Sequence, residues 1–242
     1  MKRVFRRLKG NQRLSYQDWI DRNRADPINR GLLLSLPMYE GVGTSVTDVA
    51  QHHPVTMTDA PSWTTITSGL PVLEFNGAGN YMEVSAANSL DLNLTGDISI
   101  AAWVYGNSFA GANVLAGRYE VDASGWELYL FDTSLNFRTH QAAAHTGVSG
   151  AGFAALTWMF VSVSRHGLYP LMYRDGKAVT MTYGAGITDP VSSSQDLTIG
   201  TRYSKDTNWL SGKLWGLRIW GRVVDGSEFR RLYLQERGLI GG

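Results

Sequence analysis

From Gly31 onward, apolar and polar positions alternate with a period of two. Leu32, Leu34 and Leu36 fall on one face, as do Ile98, Ile100, Ala102 and Val104. Trp126, Leu128 and Leu130 repeat the pattern, followed by Met159, Val161 and Val163 and finally by Leu217 and Ile219. This is the spacing of strands that bury one face. Turn-forming pairs punctuate the runs: Asn76-Gly77, Gly106-Asn107, Ser124-Gly125 and Asp175-Gly176. The last sits between Tyr173-Arg174 and Lys177-Ala178-Val179 and suits a type I′ hairpin. Ser124-Gly125 reads as a break between strands. Short strands without intervening helical segments predict a sandwich or barrel rather than βαβ units.

Two stretches carry helical signals instead. Near the start, Ser15 can cap a helix with Asp18 at its third position, and Leu14 can pack on Trp19. That helix should end near Ala25, because Pro27 disfavours helical geometry at Asp26. Near the end, Asp225 and Glu228 form a capping box, with Phe229, Leu232 and Tyr233 as the apolar stripe and Gly238 as the stop.

Charge separates the first 30 residues from the rest. They hold nine basic side chains against Asp18, Asp21 and Asp26, a balance of +6. The remaining chain has 13 basic and 18 acidic groups, so a formal net charge of +1 conceals a basic arm on an acidic body. Arg3, Phe5, Arg6, Arg7, Trp19 and Ile20 are therefore candidate docking residues for a partner surface. Contact with phosphates is open to the arginines, but no element suited to sequence-specific nucleic-acid readout follows them. No apolar run is long enough for a membrane span. The basic first ten residues, with no apolar stretch after them, are not expected to act as a signal peptide. With no cysteine in the chain, thiolate catalysis, zinc–thiolate centres and disulfides are excluded.

Several segments, taken in order, resemble the laminin-G-like domains of the concanavalin A-like lectin/glucanase superfamily. Gly31 to Pro37 with Glu40-Gly41-Val42-Gly43-Thr44 is similar to the first strand and turn of that family. Leu73-Glu74-Phe75-Asn76-Gly77 through Asn80-Tyr81-Met82-Glu83-Val84 follows its LxFDGxxDYVEV pattern, and Ser89-Leu90-Asp91-Leu92 with Asp97 to Val104 resembles SLDL…FTISAWV. Trp158 to Arg165, Tyr173 to Lys177, Leu197-Thr198-Ile199-Gly200 and Gly212 to Trp220 continue the series to about Gly238. The resemblance implies an all-β fold: a two-sheet antiparallel jelly-roll sandwich over residues 31–242. The basic helical N-terminal arm (1–30) and a short C-terminal helix complete the expected architecture. At family positions, Trp103, Trp158 and Trp220 are expected in the core.

The superfamily includes glucanases, so facing carboxylates are the chemistry to look for. Retaining enzymes need two about 5 Å apart. Here Glu120 and Asp122 are followed only by Glu127, and the odd offset puts Glu127 on the opposite strand face from Glu120. The five histidines lack metal-ligand spacing and are read as surface or hydrogen-bonded groups. Calcium is a frequent cofactor of the family, and Asp48, Asn76 and Asn80 are the nearest candidates, although asparagines stand where the pattern has aspartates. For a glycan, Trp209 with Asn208, and then Trp63, offer aromatic faces beside polar groups. No cofactor is otherwise expected.

Three functions follow. The first is a non-catalytic structural or attachment protein of a virus particle, such as a bacteriophage capsid decoration, made in the host cytoplasm and docked through its arm. Its partners would be capsid proteins and further copies of itself. The alternative is a carbohydrate-binding module that contacts surface glycans, and the third is a degenerate glycoside hydrolase.

Overall fold

The computed structural model describes residues 26–141, 145–183 and 188–241. They fall into two units. Residues 26–30 belong to the first, where Pro27–Asn29 form one 3-10 turn and the Asp26 side chain accepts from Ile28 N–H at 3.0 Å. Asp26 itself is extended (ψ 122°), as the following proline requires. The helix expected over Ser15 to Ala25, and with it Arg3, Phe5, Arg6, Arg7, Trp19 and Ile20, lies outside the described residues.

The second unit begins at Gly31, and its described residues form 16 strands in chain order. They are β1 Leu32–Leu36, β2 Thr56–Thr58, β3 Ser62–Thr65, β4 Pro71–Asn76, β5 Tyr81–Val84, β6 Ile98–Gly106, β7 Ala112–Glu120 and β8 Ser124–Phe131. There follow β9 Ser134–Thr139, β10 His145–Ser149, β11 Met159–His166, β12 Tyr169–Arg174, β13 Lys177–Ala178, β14 Met181–Tyr183, β15 Leu197–Ile199 and β16 Ser211–Trp220. The helix α1 (Gly226–Ile240) follows β16.

The strands make two antiparallel sheets. The first runs β13-β12-β11-β6-β16-β4-β3, with β1 paired to the second half of β16. The second runs β14-β10-β9-β8-β7-β15-β5-β2. The expected jelly-roll sandwich is the fold observed.

Ile98, Ile100, Ala102 and Val104 align in register with Arg165, Val163, Val161 and Met159 on one face of the first sheet. Trp126, Leu128 and Leu130 share a face of the second sheet and pair with Thr139, Phe137 and Leu135. The opposite face of the first sheet is apolar too, and α1 covers it. Phe229 is fully buried against Trp220 and Tyr173, and Tyr233 stacks on Trp103 at 5.6 Å. Trp103 and Trp220 are thus buried as expected, but beneath the helix. Trp158 departs from the expectation: it precedes β11, is half-buried and packs on Tyr105 at 5.8 Å.

Local signals hold at two points. Asp175 and Gly176 both adopt positive φ (52° and 66°), joining β12 to β13 as a type I′ turn should. The Asp225–Glu228 capping box forms in full. Two boundaries are corrected. Gly238 lies inside α1, which ends at Gly241 in the left-handed conformation (φ 96°). Ser124-Gly125 does not break a strand but opens β8, the turn being Val121-Asp122-Ala123. A Cβ on Gly125 would lie 1.9 Å from the Arg118 carbonyl oxygen, so the glycine permits close strand approach.

Candidate functional site

The outer face of the second sheet, opposite the sandwich core, gathers aromatic and polar side chains. Its register aligns Glu83, Thr198, Gly117, Glu127 and Arg138 across five strands. Tyr119 lies two residues from Gly117 on the same face, and Tyr129 two from Glu127.

At the centre is a buried hydrogen-bonded group. Glu127 is 3% exposed and meets His140 Nε2 at 3.2 Å and Arg138 Nη1 at 3.3 Å. His140, fully buried, accepts from Asp122 N–H through Nδ1, so the proton on Nε2 is donated to Glu127. Tyr119 stacks on this imidazole at 4.8 Å. Burial, and then the charge and hydrogen bond of Glu127, push the Tyr119 hydroxyl far above its ordinary range. Burial also pushes Tyr129 up to about 12, while Arg138 Nη2 donates to its hydroxyl at 2.7 Å. Both phenols are neutral at physiological pH.

The loop between β15 and β16 overlies this centre. Tyr203 meets Tyr119 edge-on at 5.3 Å, and Lys205 ties the loop down through Glu83 (2.5 Å) and Asp196 (2.8 Å). Burial opposes the charge on Lys205, but hydrogen bonds to Asp196 and Glu83 outweigh it and raise the pKa. Lys205 and Asn208 hold positive φ (59° and 56°), strain that the loop tolerates because its ends are anchored. Trp209 follows, half-buried, with its ring 5.9 Å from Tyr81 and tilted by 37°.

The sequence-derived candidates are therefore placed as follows. Trp209 and Asn208 occupy this loop, and Tyr81 supplies an aromatic partner that the strand pattern did not single out. Trp63 is not part of the group: it lies on edge strand β3 of the other sheet, where its indole N–H donates to the Gly43 carbonyl at 2.9 Å. The calcium candidates serve separate loops. Asp48 accepts from the N–H groups of Ser35, Ala50, Gln51 and His53 and from the His53 ring. Asn80 accepts from Asn76 N–H and Asn76 from Ala78 N–H. These side-chain oxygens accept hydrogen bonds within the protein. Among the described residues, no group of three or more His, Cys, Asp or Glu side chains is arranged to hold a metal ion.

The carboxylate geometry follows the strand parity. Gly117 pairs with Glu127 and Glu120 with Ser124, so Glu120 and Glu127 project from opposite faces of the sheet. Tyr119, Tyr129, Arg138 and His140 went unrecognised in the sequence. The alternation Trp126-Glu127-Leu128-Tyr129-Leu130 was the available signal, since it places a carboxylate and a phenol together on the face away from the core.

A family model of the laminin G type, described as "Concanavalin A-like lectin/glucanases superfamily", matches residues 76–229. The chain belongs to this superfamily.

Among solved structures, a botulinum neurotoxin type C chain, whose cell entry is described as dependent on interaction with two ganglioside molecules, superposes with a TM-score of 0.64 at 15% identity. The match covers 86% of this chain and 52% of that one. The serotype C1 neurotoxin binding domain gives 0.66 at 15% identity over 86% and 53% of the two chains. This superfamily member therefore spans about half the length of those neurotoxin chains. Domain 4 of an extracellular arabinanase from Geobacillus stearothermophilus, solved in complex with arabinotriose, gives 0.67 at 14% identity and covers 84% of this chain and 98% of that one. At these identities the likeness is one of fold. No curated protein matches the sequence. No helix among the described residues is long and apolar enough to cross a membrane.

Proposed function

We propose that this protein is a non-catalytic carbohydrate-binding module whose contact site centres on Trp209 and Tyr81. The observation that carries this reading is the pair of tilted aromatic rings at 5.9 Å, held beside Asn208 on an anchored loop. Aromatic faces take up the apolar faces of sugar rings while neighbouring amides and charged groups orient the hydroxyls. The separation of Glu120 from Glu127 by the sheet supports binding without hydrolysis. The fold shared with an arabinanase domain in complex with arabinotriose makes arabino-oligosaccharides the first probe, alongside a glycan array. Binding that Trp209→Ala weakens at least tenfold, without loss of folding, supports the site. Glycan cleavage, or binding indifferent to both Trp209→Ala and Tyr81→Ala, overturns it.

A second reading rests on the charge division between residues 1–30 and the rest of the chain. In it the module is displayed on a virus particle, with Arg3, Phe5, Arg6, Arg7, Trp19 and Ile20 docking onto an acidic capsid surface. Removing residues 1–25 should abolish incorporation into the particle while leaving the sandwich folded. Unchanged incorporation rejects docking through the arm.

A further inference from the structure

The outer face of the second sheet also contains a guanidinium whose bonding is incomplete. Arg138 presents five N–H donors in a planar fork. Three are engaged: Nε donates to Thr146 Oγ1 at 3.0 Å, Nη1 to Glu127 at 3.3 Å and Nη2 to the Tyr129 hydroxyl at 2.7 Å. One N–H therefore remains on each terminal nitrogen, and about a third of the side chain (32%) is open to solvent. The three bonds fix the plane of the fork before any ligand arrives, and Tyr129 lies 5.1 Å beneath it. Glu127 is buried and shared with His140, and it takes one of the two Nη1 donors.

A second arginine lies on the other side of the Tyr119–Glu127 centre. Arg202 sits over the Tyr203 ring at 5.1 Å, and Tyr203 is the residue that meets Tyr119. Its ion pair with Asp206 is long, at 3.8 Å, and Asp206 is 64% exposed, so water competes for that carboxylate. Lys205 contributes no free charge, because Glu83 and Asp196 both hold it.

We infer that Arg138 and Arg202 read a polymer of carboxylate-bearing sugars, uronic acid units, with Arg138 as the bidentate fork for one unit and Arg202, three strand spacings away across the sheet, as a supporting cation for another. A planar guanidinium with a donor on each terminal nitrogen matches the two oxygens of a carboxylate, whereas a lysine ammonium matches only its charge. This inference rests on the carbohydrate-binding reading and names the class of sugar.

The test measures binding of the full chain to polygalacturonate and to neutral arabinan by calorimetry, for the wild type, Arg138→Lys and Arg202→Gln. The uronate should bind at least tenfold more tightly than the neutral polymer. Arg138→Lys, which keeps the charge and loses the fork, should lose at least tenfold in uronate affinity, and Arg202→Gln, which loses the charge, severalfold, with neutral binding unchanged. Melting curves control for folding. If Arg138→Lys unfolds because Glu127 loses its partner, Arg202→Gln and the salt dependence of the wild type decide the matter. Equal binding of both polymers, with no effect of either substitution, overturns the uronate assignment and leaves the module reading intact. Binding of neither polymer, nor of any glycan on an array, removes both.

Discussion

The Nδ1 of His53 lies 2.7 Å from Asp48, and the other ring nitrogen reaches Asp91 at 2.9 Å. One imidazole thus joins the Asp48 loop to the 3-10 turn Leu90–Leu92. The hydrogen bond to Asp48, opposed by burial and reinforced by Asp91, raises the His53 pKa above 6.5. Burial opposes ionisation of Asp48, but hydrogen bonds from His53 and from the backbone of Ser35 and Ala50 lower its pKa below 3.8.

These shifts fix the sign of a pH dependence. A raised histidine pKa adds stability that is complete below 6.5 and fades as pH rises through the folded value. A lowered carboxyl pKa adds stability present above 3.8 and lost as pH falls through the folded value. The melting temperature of the wild type should exceed that of His53→Gln by most between those two limits. The gap should narrow toward alkaline pH. A gap of constant size across the range would show that the ion pair does not carry the effect.

Two glycine-to-alanine substitutions should act in opposite directions. At Gly125, φ is 82° and the added Cβ would meet backbone of Arg118 and Tyr119, so unfolding should become easier by roughly 2 kcal/mol or more. At Gly238, inside α1, nothing lies within 4 Å of the added Cβ, and alanine should stabilise by about 0.5–1 kcal/mol. Urea denaturation of the two variants checks both signs.

Glu236 joins α1 to the first sheet by accepting from Trp103 Nε1 at 2.9 Å and from Arg218 at 2.5 Å. Glu236→Ala would leave Arg218, 8% exposed, buried with an uncompensated charge. A loss of about 3–5 kcal/mol is expected. The double variant Glu236→Leu, Arg218→Met should recover much of it in the same denaturation experiment.

The Tyr81–Trp209 ring pair should be energetically coupled. A double-mutant cycle on folding stability with alanine at each position is expected to give about 0.5–1.5 kcal/mol. A coupling near zero would mean that the rings are merely adjacent.

What could be read in the sequence was what short stretches decide. Asp175-Gly176 requires two positive φ values that few residue pairs tolerate, and Asp225 with Glu228 caps within a single turn. The alternation of Leu32, Leu34 and Leu36 marked a strand without revealing its partner. Gly238 was mistaken for the end of α1 because a glycine three positions before the true cap, Gly241, carries the same signal as the cap. The Glu127–His140–Arg138 group was hidden for a different reason: its members meet through the register of β8 with β9, which no local pattern encodes. Gly125 was misread because its glycine requirement comes from the neighbouring strand at Arg118.

The lateral margins of the two sheets bear on solubility. As described, β13 has two residues, β2 and β14 have three each, β3 has four, and β1, paired only to β16, has five. Each margin therefore offers a stranger's backbone only a few rungs, too few to template sheet-to-sheet growth. A protein built from so many strands can in this way be concentrated on a surface without fusing edge to edge into fibres.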